Sequence, residues 1–169
     1  MGEARRKEAR RREASPDAER LFQFLSVFAQ DQFLRTGEVK AMFDGVRADG
    51  ERVIIPAPWG DDREKDLILE AVRIAFRGLG VVRYGMLSEV WMARYDGKDA
   101  KRDPDVMPRD RDDRIEAVIV AVVEPPVVLF GRRVIIRPWD GGRPHLGPLE
   151  RNPNGMDRFE GRMMELLDD

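Results

Sequence analysis

Glu89 is the residue in this chain whose setting most invites chemistry. It lies inside Leu87-Ser88-Glu89-Val90-Trp91-Met92, and on an extended strand it shares a face with Leu87 and Trp91. A carboxylate among apolar neighbours is costly unless it is paired. A general base, a metal ligand or the buried partner of an arginine would each justify it there. Glu116 opens the next apolar run and approaches Glu89 if the two strands are neighbours. Converging carboxylates raise one pKa and suit acid–base chemistry, so a metal-assisted hydrolase or nuclease is one expectation. Asp112 and Asp113 could complete such a site with Glu116 for magnesium, which needs few protein ligands. The competing expectation is structural neutralisation by guanidinium groups, with Arg83, Arg132 and Arg133 as available partners of Glu89. That second reading is the stronger, because structural ion-pair networks perturb carboxylates in the same way as functional sites do.

The segment before Glu116 supports it. Between Asp96 and Arg114 stand seven acids and six bases, a self-compensating mixture expected to be a solvated connection restrained by Pro104 and Pro108. A calcium loop needs a central glycine and a late glutamate, and the interleaved arginines would repel a cation. Pro16-Asp17 with Glu38-Val39-Lys40 has the residue types of a metal-dependent nuclease pattern, but Asp17 opens a helix rather than a strand. His145 is the only histidine, so no multi-imidazole site exists. The absence of cysteine excludes disulfides, zinc–thiolate sites and thiol nucleophiles. No cofactor is implied. Trp59, Trp91 and Trp139, with His145, are the candidates for a binding surface, and packing over the rim of the core is the plainer role for Trp59 and Trp139.

Charge is unevenly distributed. Residues 1–13 hold six bases and three acids, which leaves 24 bases against 29 acids in the rest. An acidic body is a poor platform for nucleic acid, whose affinity comes from cationic neutralisation. Nucleic acid is therefore expected only on the arm, through Arg5, Arg6, Lys7, Arg10, Arg11 and Arg12. Its plainer role is a solvated helix carrying Glu3–Lys7 and Glu8–Arg12 pairs one turn apart. No apolar run is long enough to span a membrane and no signal-peptide core follows the arginines, so a cytoplasmic location is expected.

The elements that would position these residues read as a single α+β domain over residues 15–169 after a basic arm at 1–14. Ser15-Pro16-Asp17 is a helix start, and Leu21, Leu25 and Phe28, widened by Phe22, Phe24, Phe33 and Leu34, mark the buried stripe up to Gly37. Asp49-Gly50 between Val46 and Val53-Ile54-Ile55 predicts a hairpin with a tight primed turn. Asp61 or Asp62 caps a second helix with Ile68, Ala71, Val72, Ala75, Phe76 and Leu79 inward. Three strands follow at 81–95, 114–124 and 127–138, apolar on both faces and hence central in a sheet covered on both sides. Met156, Phe159, Met163 and Leu166 predict a third helix. The expectation is a mostly antiparallel sheet of about five strands with three helices.

"SEVWM", then "PRDRDDRIEAVIV", "HLGPLE" and "EGRMMELL" resemble a loosely defined group of small uncharacterised bacterial and phage proteins, over roughly residues 81–167. The resemblance implies only that Glu89, Trp91, Arg114 and Glu116 belong together. The function expected overall is non-catalytic, acting through contacts with a protein partner or with a second copy of the chain.

Overall fold

The computed structural model describes residues 13–93, 110, 112, 114–151 and 166–167. The chain runs α1 (Pro16–Thr36), β1 (Met42–Arg47), β2 (Arg52–Pro56), α2 (Asp62–Leu79), β3 (Val81–Ala93), β4 (Arg114–Glu124), β5 (Val127–Ile136), β6 (His145–Leu146) and β7 (Glu150–Arg151). Residues 1–12 of the basic arm, the connection at 94–109, Arg111, Asp113 and most of the expected third helix lie outside the described residues. Of that third helix only Leu166 and Leu167 are described, in a turn.

Local chemistry sets both helices. Ser15, extended at φ −65° and ψ 155°, accepts the Ala18 N–H through Oγ, and Asp17 and Glu19 face the positive end of the α1 dipole. Asp61 does the same for α2 by accepting the Glu64 N–H at 2.8 Å. Left-handed Gly37 and Gly80 terminate the two helices.

Seven strands form one antiparallel sheet in the order β2-β1-β3-β4-β5-β6, with β7 also paired to β5. The two additional strands are the two-residue pairs β6 and β7 in the "HLGPLE" region, too short to leave a periodic signal. The expected hairpin forms, but its turn is three residues long. Gly50 N–H donates to Arg47 O at 2.9 Å and Arg47 N–H to Glu51 O at 2.9 Å, with Gly50 at φ 86°. Glycine thus supplies the left-handed residue that follows a type I turn, not half of a primed turn.

Because β3 and β4 are central, both of their faces are covered. One face carries Leu87, Val118, Val120, Val122, Leu129 and Ile135 beneath Leu21, Phe22, Leu25, Ala29 and Phe33 of α1. The other carries Phe43, Tyr84, Met86, Ile119, Ala121 and Phe130 against Leu69, Val72 and Phe76 of α2, with Leu166 completing that core. The expected stripes are corrected in detail. Phe24 and Leu34 point outward from α1, while on α2 Ala71 and Leu79 are exposed and Leu69 is buried. A helix as apolar as α1 has more large side chains than one face can bury. Gly85 lets α1 lie close to the sheet: a Cβ there would stand 2.1 Å from Leu25 Cδ1.

Candidate functional site

The helix α1 ends before the sheet does. Past Phe33 the chain turns at Gly37 and runs back along β3, so the last residues of β3 and the first of β4 extend beyond helical cover. Register places Glu89 opposite Val118 and Trp91 opposite Glu116, with Ala117 opposite Val134 on β5. Alternation then puts Glu89, Trp91, Arg114, Glu116 and Arg137 on the α1 side at one end of the sheet. The four residues implied to belong together do come together.

Each is held differently. Glu89 is partly buried, and its Oε1 accepts the Val39 N–H at 2.7 Å. Burial pushes its carboxyl above the usual range, the nearby Glu116 and Glu38 push further, and the Val39 N–H and Arg137 oppose them. Glu116 is gripped on both oxygens by Arg137, Nε to Oε2 and Nη2 to Oε1, each at 2.7 Å. This planar two-point pairing is the strongest form of guanidinium–carboxylate contact. The Arg114 guanidinium carbon stands 4.9 Å from the centre of the Trp91 ring, which is 45% exposed.

The arginines expected to neutralise Glu89 are engaged elsewhere. Arg83 pairs with Asp17 at 3.0 Å and Glu124 at 2.9 Å, Arg132 with Glu150 at 2.6 Å, and Arg133 donates to Gly147 O at 3.0 Å. Arg137 does the neutralising, and it does so for Glu116. Sequence reasoning missed it because the register of β5 on β4 decides which arginine of the run arrives there. Asp112 is exposed, and among the described residues no three metal-ligating side chains gather. With both Glu116 oxygens occupied by Arg137, the pair offers a cation no open carboxylate but that of Glu89.

No protein-family model, no curated protein and no solved structure matches this chain. What the site does must therefore come from its own geometry.

The same sheet end carries the most exposed large hydrophobic side chain among the described residues. Trp139 is 98% exposed, on the turn that follows β5. That turn is well tied: Gly141 N–H donates to Pro138 O at 3.3 Å, Gly142 N–H to Asp140 Oδ1 at 2.9 Å, and Arg143 Nη2 to Leu34 O at the end of α1. Ile136 beside it is 41% exposed. Trp59, by contrast, packs partly against the α2-side core with Lys65 Nζ 5.5 Å from its ring centre. His145 is exposed on β6 opposite Ile136. No described helix is long and apolar enough to cross a membrane.

Proposed function

We propose that this chain is a non-catalytic contact protein whose working surface is the sheet end bearing Trp91 and Trp139, and whose first partner is a second copy of itself. The observation that carries the reading is Trp139, an almost fully exposed indole presented on a turn held by three hydrogen bonds. Tryptophan dominates contact energetics when it enters a partner's pocket. Holding it on a fixed turn removes part of the ordering cost that a mobile side chain would incur on binding. At the same sheet end, Glu89, Arg114, Glu116 and Arg137 supply both charge signs, which suits a surface that meets its own copy about a two-fold axis.

Sedimentation velocity over a micromolar concentration series tests this. The wild-type chain is expected to shift from monomer to dimer. Trp139→Ala should weaken the dimer roughly thirtyfold, the equivalent of a hot-spot loss of about 2 kcal/mol. Leu67→Ala, which removes an equally apolar exposed side chain from α2, should leave it unchanged. A wild-type monomer throughout, or a Trp139→Ala dimer as tight as wild type, contradicts the proposal.

One observation favours a second reading, acid–base hydrolysis by Glu89: its carboxyl is raised while Glu116 beside it is clamped. That reading requires a hydrolytic activity abolished by Glu89→Gln in a folded protein.

A further inference from the structure

On the same face of the sheet, away from the tryptophan end, α1 covers β1 and β2 only in part. A cleft of about 370 Å³ opens there between the first half of α1 and the β1–β2 hairpin. Its charged lining is one-sided: Arg20, Arg47, Arg52 and Arg83 against Asp17 alone, with Leu21, Phe24 and Val46 as the apolar wall. We propose that this cleft binds a small phosphorylated molecule, its phosphate on the arginines and its apolar or planar part against Phe24.

The arginines are built into position. Asp44, fully buried, holds Arg52 through Nε at 3.1 Å and through Nη2. Glu124 pairs with Arg83 Nε at 2.9 Å, and Arg47 is met by Glu51 at Nη1 and by Asp49 at Nη2, 3.6 Å away. None of these four carboxylates lines the cleft. They fix the guanidinium planes while each guanidinium, rich in N–H donors, keeps others for a ligand. Preorganised guanidiniums are the side chains that best match phosphate geometry. Arg52 also lies over the Phe24 ring, 4.3 Å from its centre, and that ring is 46% exposed. Phe28 stacks with the same ring, 6.1 Å between centres, so the planar part of a ligand would meet Phe24 at its exposed edge and lie against the Arg52 guanidinium.

Asp17 occupies the anion position among these arginines. Its carboxylate bridges Arg83, at 3.0 Å, and Arg20. The hydrogen bond from Arg83 holds its carboxyl below the usual range, as a positive site does to a resident anion. An incoming phosphate competes with it for the same donors.

Calorimetric titration of the full chain with adenosine monophosphate and, separately, with inorganic phosphate tests this. Both should bind saturably, the nucleotide more tightly because it also uses Phe24. Arg20→Ala/Arg47→Ala should weaken both roughly tenfold, the loss of a charge-assisted hydrogen bond, and Phe24→Ala should remove only the nucleotide's advantage. Asp17→Asn should tighten both, a gain that misfolding cannot mimic. No saturable binding by either probe up to millimolar concentration overturns the proposal. So does binding that Arg20→Ala/Arg47→Ala and Asp17→Asn leave unchanged.

Discussion

Replacing Glu89 separates its charge from its hydrogen bond. Glu89→Gln keeps an oxygen that can accept the Val39 N–H, now received at 2.7 Å, but removes the ionisable group. Glu89→Leu removes both and leaves the N–H of buried Val39 without its acceptor. An orphaned donor costs about 1–3 kcal/mol, so Leu should destabilise by that order while Gln stays within about 1 kcal/mol of wild type near neutrality. The pH dependence carries the sharper test. The folded-state pKa of Glu89 is raised above its ordinary value of 4.5, first by burial and then by Glu116 and Glu38, against the Val39 N–H and Arg137. The folded chain therefore holds this proton more tightly than the unfolded chain. Its contribution to stability is complete below the unfolded value and is lost as pH rises through the folded one. Other carboxylates titrate in the same range, so the difference between variant and wild type is the quantity to follow. Urea unfolding from about pH 4 to about pH 8 spans that window. The stability of Glu89→Gln relative to wild type should rise with pH, with a slope no steeper than the single-proton limit of about 1.4 kcal/mol per pH unit. Parallel wild-type and Glu89→Gln curves would refute the reasoning, because a carboxyl that titrates alike in both states adds no slope.

Two further outcomes follow from the packing. Gly85→Ala should destabilise by about 1–3 kcal/mol in urea unfolding, because its methyl would meet Leu25 Cδ1 and that fully buried side chain would have to repack. Ser15→Ala removes the acceptor for Ala18 N–H and a donor to Glu124 Oε2 at 3.0 Å, and should cost about 1 kcal/mol in the same assay.

The architecture was legible where local rules act alone. The Ser15-Pro16-Asp17 start, the hairpin at Asp49-Gly50 and the both-faced apolarity of 114–124 each correspond to an observed cap, turn or central strand. The proximity of Glu89 and Glu116 was also readable, since two neighbouring central strands of that parity bring them to one face. What stayed hidden depended on register and competition. Arg137, not Arg132 or Arg133, reaches Glu116 because β5 sits on β4 with Ala117 opposite Val134. Phe22 is buried and Phe24 exposed on a helix whose phenylalanines spread over more than one face, and only the sheet beneath chooses between them. Trp139 beside Pro138 looked like a rim residue, yet the turn aims it into solvent. The arginine-lined cleft draws on three separated stretches of chain, and no single stretch announces it.

Concentration-dependent oxidative footprinting of the wild-type chain tests the central claim most directly. In the free chain Trp139 is 98% exposed while Trp59 is partly packed against the core. If the sheet end is the contact surface, oxidation of Trp139 should slow as the chain is concentrated through its dimerisation range, while Trp59 reacts at an unchanged rate. Equal reactivity of Trp139 in dilute and concentrated samples, with dimer present by mass, would place the contact elsewhere and contradict the account.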